Sequence, residues 1–196
     1  MPTINYGAKE VSIKIVYYGP GLSGKTTNLR YIYTRLPQKH RGKMVSLATD
    51  LDQTLFFDFL PLDIGKIRGF TVRFHLYTVP GQVYYNVTRK LVLRKVDALV
   101  FVADSQKERL NENLESFENM IENLKAYNLT LDKIPCVIQY NKRDLPNILP
   151  VDQLNRALNK KKFPYFQSIA ITGYGVMETL KEICKLAIRR VKVFVP

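Results

Sequence analysis

Eight consecutive residues, Gly19-Pro20-Gly21-Leu22-Ser23-Gly24-Lys25-Thr26, fit G-x-x-x-x-G-K-[ST] at every fixed position. That spacing suits the holding of a polyphosphate. Glycines let successive backbone N–H groups turn onto phosphate oxygens, and a helix starting at the lysine adds about half a positive charge at its N-terminus. The lysine reaches the β- and γ-phosphates, and the following hydroxyl holds Mg²⁺. Gly19, Gly21, Leu22, Ser23, Gly24, Lys25, Thr26 and Thr27 are therefore expected to form a nucleotide cradle, with Thr26 a metal ligand. A Gly/Ser turn that spells the motif by chance is the competing reading; the β-rich segment before it and the helical one after it disfavour that.

A second group, Asn141-Lys142-Arg143-Asp144, follows the apolar run 134–140. An Asp carboxylate only accepts hydrogen bonds, and guanine offers N1–H and N2–H₂ side by side as donors. Adenine presents a bare N1 acceptor at the same place. A site built on such bonds rejects the wrong base because mismatched polar groups stay unpaired. Asp144 is expected to read the base edge, Asn141 to face N7 and tie this loop to the cradle, and the Lys142 stem to lie over the ring. Alone the tetrapeptide is a charged turn; downstream of the cradle, at a strand's carboxyl end, it points to a guanine nucleotide.

These residues must be positioned by strands that end beside them. Residues 12–18 are β-rich and stop at Gly19-Pro20-Gly21. Leu29, Ile32, Tyr33 and Leu36 mark a helix ending before Pro37. Residues 38–53 read as a long polar loop. Segments 55–60 and 70–77, separated by Gly65 and Gly69, suit an antiparallel hairpin. A loop at 79–82 leads to a helix reaching about residue 95. The continuous apolar run 98–103 marks a strand buried on both faces. A helix along Leu110, Leu114, Phe117, Ile121 and Leu124 follows, then a strand at 136–140, a helix at 151–159 and a short strand near 166–170. A closing helix carries Val176, Leu180, Ile183, Ala187 and Val191. Alternation of this kind predicts one α/β domain over residues 1–196, a mostly parallel sheet of six strands with an antiparallel edge hairpin, helices on both faces and ligands at the strands' carboxyl ends.

Thirty Lys and Arg against seventeen Asp and Glu give a net charge of +13, while a 46% hydrophobic share excludes a disordered chain. No apolar run approaches the ~18–20 residues that cross a bilayer, and no cleavable leader opens the sequence, so a cytoplasmic protein is expected. Cys136 and Cys184 sit in apolar segments and read as reduced core thiols. The clusters at 39–43, 89–95, 160–162 and 189–192 read as solvated faces that favour anionic partners. Neither an N-terminal Met-Gly nor a C-terminal prenylation cysteine encodes a lipid anchor. No nucleic-acid module is recognisable, so specific nucleic-acid reading is not expected.

Beyond these motifs, Thr78-Val79-Pro80-Gly81-Gln82, Phe101-Val102-Ala103-Asp104-Ser105 and the run Asp52 to Phe59 complete a pattern that resembles the small GTPases of the Ras/Arf-like superfamily. The strings Tyr17-Tyr18-Gly19-Pro20-Gly21, Thr54-Leu55-Phe56-Phe57-Asp58-Phe59-Leu60-Pro61 and Phe74-His75-Leu76-Tyr77-Thr78 extend that resemblance, over nearly the whole chain, to the bacterial gliding-motility GTPases of the MglA family. It implies the three-layer P-loop fold, GTP/GDP and Mg²⁺ as ligands, and a switch acting in cell polarity and motility. An MglB-like Roadblock/LC7 activating protein, effector proteins and recruitment to a cell pole are implied with it. Thr54 matches the switch threonine that completes the metal shell. Gly81 would donate its N–H to the γ-phosphate, and Gln82 would orient the attacking water. Segment 169–176 resembles the family's S-A-K-x-G-x-G-V stretch, which gives the backbone N–H groups of Ala170 and Ile171 to guanine O6.

Two positions depart from the pattern. Thr78 stands where Ras-like proteins carry an Asp that supports Mg²⁺ through water, and the MglA family shares that threonine. Gln53 stands where the family has an arginine finger, a residue worth ~10³–10⁵ in rate where it works. Hydrolysis is therefore expected to be slow without an activator, with Gln53, Thr54, Lys25 and Gln82 as the catalytic set and Arg41 or Arg89 as alternative cationic groups. The competing functions are a GTP-binding scaffold that scarcely hydrolyses and, further off, an RNA-associated GTPase. Asp104 and Asp58 read as strand-end structure, and His75 and the aromatic string Phe56, Phe57, Phe59 as packing, beside a surface where partners of such proteins dock.

Overall fold

Strand β2 (Glu10–Tyr18) shows how the two sides of the molecule are made. Val11, Ile13, Ile15 and Tyr17 point into one apolar cluster, and Val16 and Tyr18 into another. The period-2 alternation of side chains thus feeds two cores rather than one core and solvent. β6 (Ala98–Asp104) and β7 (Cys136–Asn141) are buried at every residue for the same reason. The computed structural model describes residues 2–48 and 54–191.

Among the described residues eight strands make one sheet, in the order β3 (Val45–Ala48), β4 (Thr54–Ile67), β5 (Phe70–Thr78), β2, β6, β7, β8 (Tyr165–Gln167), with β1 (Thr3–Asn5) paired antiparallel to the start of β2. The parallel block β5-β2-β6-β7-β8 and the antiparallel β4–β5 hairpin are as the sequence predicts. Helices α1 (Lys25–Arg35) and α5 (Val176–Val191) cover one face. Helices α2 (Asn86–Leu93), α3 (Leu110–Lys125) and α4 (Val151–Leu158) cover the other.

The strand count exceeds the expected six. β1 occupies the stretch of β2 that β6, which begins pairing only at Ile15, leaves open. β3 lies in the segment read as a loop, where exposed Val45 and Ser46 pair with Phe59 and Asp58 of β4. Gly65 does not separate two strands. It sits, with φ 89°, at an irregularity between Asp63 and Lys66 inside a longer β4. The hairpin turns at Arg68-Gly69, both at positive φ between the paired Ile67 and Phe70, a geometry that matches strand twist.

Gln53 lies outside the described residues, as does the side chain of Thr54, whose backbone opens β4 opposite Ala48. The cysteines are free, and burial pushes both thiols up to about 12, which leaves them unreactive. His75 is half-buried against the Phe59 ring, and burial lowers its pKa. Among the described residues no helix is long and apolar enough to cross a membrane.

Candidate functional site

Four parallel strands deliver chemistry to one edge of the sheet. β2 ends at Tyr18 before the cradle and β5 ends at Thr78 before the Pro80–Gln82 loop. β6 ends at Asp104, which is in register with Asn141 at the end of β7. A cleft of about 800 Å³ opens along this edge, lined in part by Gly21, Lys25, Thr26, Gly81, Arg89 and Arg109. It lies outside the carboxyl ends of the strands, as ligand sites of such sheets do.

The cradle has the shape its glycines allow. Gly24 precedes α1 with φ 97°, and a Cβ there would run into the amide of Asn141. Leu22, at φ 62°, is largely exposed, whereas Ser23 is buried. Lys25 is buried and its Nζ donates to the carbonyls of Gly19 at 3.0 Å and Pro20 at 2.6 Å. Burial draws its pKa down to about 7, Asp58 opposes that, and Arg89 and Arg109 add to it. An anion of several negative charges in the cleft would restore the ammonium.

Asn141 ties three segments together. Its Nδ2 donates to the Ser23 carbonyl at 2.8 Å, and its Oδ1 accepts from the Ser168 hydroxyl at 3.0 Å and the Ala170 N–H at 2.9 Å. The expected link to the cradle is thus present. The Ala170 N–H, however, is committed to Asn141 instead of pointing outward to a base oxygen. Of the expected pair, Ile171 is left as the backbone donor without a hydrogen bond among the described residues, its side chain exposed. Asp144 is exposed in the loop after β7. Lys142, at φ 64°, reaches back to the buried Asp104 at 2.7 Å, which fixes the course of its stem. Asp104 is itself held by Gln106, and its backbone by Asn113. The reading of Asp104 as a structural anchor agrees with this.

On the far side of the cradle, Gly81 lies directly on the P-loop. A Cβ at Gly81 would collide with the backbone of Gly21 and Pro20. The buried Arg89 holds the loop there, donating to the Gln82 carbonyl, to Pro80 at 3.5 Å and, through Nε, to Asn119 of α3 at 2.9 Å. Arg89 is therefore no part of a solvated basic face. Its inward position follows from the stripe Arg89, Val92, Leu93 at i, i+3, i+4, a signal that the charge cluster masked. Arg41 bonds the Leu36 carbonyl and stacks on the Tyr33 ring, away from the cleft lining. The cation that sequence reasoning missed is Arg109, which donates to the Gly21 carbonyl at 2.9 Å and pairs with Glu112. Nothing in its local sequence pointed to the cradle.

Asp58 was also underrated. It is fully buried, and its Oδ2 accepts hydroxyls from Thr26 and Thr78, each at 2.6 Å, while Ser46 donates to Oδ1. The cleft edge thus offers hard oxygen donors, hydroxyls and a carboxylate, of the kind Mg²⁺ takes. Tyr84, Val87 and Leu91 stand exposed at i, i+3, i+7 beside this edge.

Comparison with known sequences agrees with this geometry. The profile of the ADP-ribosylation factor family matches residues 3–187. The chain is 57% identical over 192 residues to the mutual gliding-motility protein MglA of Myxococcus xanthus, covering 98% of each sequence. It is 29% identical over 133 residues to the human ADP-ribosylation factor-like protein 4A, covering 63% of this chain and 62% of that protein.

Proposed function

The chain belongs to the ADP-ribosylation factor family of small GTPases, and from that premise we propose that it is a GTP-hydrolysing switch acting in bacterial motility and cell polarity, slow unless a partner activates it. The observation that carries the guanine reading is the Asn141 bridge, which joins the phosphate cradle to the loops that would read the base. In this reading Gly19, Gly21, Leu22, Ser23, Gly24, Lys25, Thr26 and Thr27 hold the phosphates. Asn141, Lys142, Asp144 and the Ile171 backbone hold the guanine. Thr26 and Thr54 would ligate Mg²⁺, which when bound offsets charge on the β- and γ-phosphates.

The protein's own part in the reaction is positioning. Lys25, recharged by the phosphates, neutralises the oxygens of the transferred group. Gln82 orients the attacking water, and the Gly81 N–H meets the γ-phosphate. Because Gly81 packs on Gly21, a third phosphate has to displace the 80–82 loop and strain its hydrogen bonds to Arg89. That couples nucleotide state to the position of α2 and its exposed Tyr84, Val87 and Leu91, the surface we assign to an MglB-like Roadblock/LC7 activator and to motility effectors. With glutamine at 53, the transition-state charge is met by Lys25 and by the nearby Arg109 rather than by a finger.

The experiment is single-turnover hydrolysis of γ-labelled GTP, with and without the activator, alongside competition by ATP. GTP selectivity with stimulation by several orders of magnitude is expected. Selective binding without stimulated turnover would instead identify a scaffold that scarcely hydrolyses. Equal binding of ATP would refute the base assignment.

A further inference from the structure

A parallel sheet covered by helices has two unlike edges. One holds the cleft, outside the carboxyl ends of the strands. At the other, helices end and the loops that enter the strands gather: 94–97 before β6, 126–135 before β7 and 159–164 before β8. Together these loops carry six cations and two carboxylates. Both carboxylates are engaged, since Asp97 is buried and accepts the Lys14 N–H at 2.8 Å, and Asp132 pairs with Lys161. The loops lie side by side, because the Leu99 N–H donates to the Pro135 carbonyl at 2.9 Å and the Ile138 N–H to that of Pro164 at 3.0 Å. The end of α5 joins them, where Ile188 and Val191 line a small groove with Val11 of β2 and Phe70 of β5.

We infer that this edge is a docking surface for an anionic membrane, which it meets through Arg94, Lys95, Lys133, Lys160, Lys162 and Arg189. Four features carry this. First, all six are exposed, and among the described residues none of their side chains makes a hydrogen bond or ion pair. Cations at the cleft edge differ: Lys25, Arg89, Arg109 and Lys142 are each bonded to the protein. Second, Lys95 at φ 58° and Lys162 at φ 55° occupy left-handed turn positions, as does Lys9, at φ 48°, before β2. Glycine takes that backbone without the cost that a lysine meets there, so turn geometry does not account for cations at these places. Third, helix dipoles account for Arg94 and Arg189, at the ends of α2 and α5. They do not account for Lys133, which stands well past α3. Fourth, the set spans three strand spacings, from β2 to β8, about 14 Å. It also reaches both faces of the sheet, with α2 on one and α5 on the other. Such a spread suits a plane of charge, where each cation near an anionic bilayer adds its own attraction. A nucleic acid strand instead lies along a groove with stacking side chains. Lysine is depleted from interfaces between proteins, and four of these six are lysines. Docked in this way, the cleft on the opposite edge stays open to solvent.

Sedimentation of the full chain with vesicles tests this, using phosphatidylcholine alone and phosphatidylcholine mixed with phosphatidylglycerol. The wild type should bind the mixed vesicles, leave them as salt is raised, and ignore phosphatidylcholine. Each cation near an anionic surface contributes about fivefold, so Lys95→Gly/Lys133→Gln/Lys162→Gly should bind about 10²-fold more weakly. Glycine suits both left-handed turns, so this variant keeps its fold. A matched variant, Lys107→Gln/Lys181→Gln/Lys185→Gln, removes the same charge from exposed positions off this edge. It should bind within about threefold of the wild type, since screening confines the attraction to charges near the surface. Should the first variant not fold, Lys133→Glu alone reverses one charge on an exposed loop and should weaken binding about tenfold. No binding to the mixed vesicles, or equal losses in the two triple variants, overturns the inference. So does an RNA duplex that the wild type holds more tightly than the vesicles and the edge variant loses, which would assign the surface to nucleic acid. Vesicle binding does not depend on guanine nucleotide. A chain that binds GTP but no vesicles therefore refutes the docking surface alone, and one that binds vesicles but no GTP refutes the proposed switch alone.

Discussion

Replacing Asn141 with alanine separates two roles that are usually merged, contact with the base and the joining of loops. The side chain is 2% exposed and makes three hydrogen bonds, to the Ser23 carbonyl, the Ser168 hydroxyl and the Ala170 N–H. Truncation leaves all three partners in a buried setting with nothing to replace the amide. A buried polar group left unpaired costs about 1–3 kcal/mol, so three of them, part-relieved by relaxation, should cost about 3–5 kcal/mol. Against a total stability of roughly 5–15 kcal/mol that is severe. At about 2–4 °C per kcal/mol for a chain of this size, the melting temperature should fall by about 6–20 °C.

The measurement is thermal unfolding without nucleotide and again with saturating GDP. Because the bonds join cradle and base loops in the protein itself, most of the loss should appear without nucleotide. A further loss with GDP should report the missing base contact, since a ligand in excess stabilises in proportion to the logarithm of its concentration relative to its Kd. Asn141→Asp sharpens the result. It keeps an acceptor for Ser168 and Ala170 but sets a carboxylate oxygen against the Ser23 carbonyl, and should fall between alanine and wild type or below both. A nucleotide-free Asn141→Ala protein melting within about 2 °C of wild type would refute the argument, because the three bonds would then contribute little.

Three further predictions concern other parts of the molecule. Asp144→Asn replaces an acceptor of two guanine donors with an amide that presents N–H, so guanine nucleotide affinity should fall about 10²–10⁴-fold, at 1.5–3 kcal/mol per bond to a charged group, while xanthosine nucleotides, with a carbonyl at C2, gain. Competition titration checks this, and a retained preference for guanine rejects the role. Gly81→Ala drives a Cβ into the backbone of Gly21, which cannot yield as a side chain would. It should cost about 1–3 kcal/mol and open the 80–82 loop to proteolysis, and an unchanged cleavage rate would argue against the packed loop. Burial lowers the Lys14 ammonium from 10.5 to about 8, with Asp97 opposing. Between those values the unfolded chain binds more protons than the folded one, so stability from this group rises with pH from about 8 to 10.5. Lys14→Met should flatten that rise in urea midpoints, whereas a curve parallel to the wild type would contradict it.

What the sequence disclosed follows from how local each signal is. The cradle and the Asn141–Asp144 turn are contiguous strings set against strands with strong apolar runs, so both their chemistry and their place on the sheet edge could be read. β3 could not, because it is only four residues long, begins with the exposed Val45 and Ser46, and pairs at the sheet's rim, where propensity is weak. Arg89 sat in a cluster read by charge, while its burial is set by the face of α2. The sequence does not show that the Ala170 N–H bonds Asn141, because the two meet only once β7 and the loop after β8 are folded together. Asp58 depended on register. Thr26, Thr78 and Asp58 lie on three different elements, and only the pairing of Phe59 with Tyr77 puts the carboxylate opposite the threonine.

In the proposed reading the two halves of the site obey different physical rules. Guanine would be recognised through the directions of individual donors and acceptors, so the residues that read it have to hold fixed places, and Asn141 is fixed by three hydrogen bonds. Phosphate charge is met through its sum, so the cations that answer it can come from separate elements: Lys25 opens α1, Arg89 lies on α2 and Arg109 precedes α3, and all three line one cleft. The base half should therefore tolerate little exchange of side chains, whereas the loss of one cation would be shared by the other two.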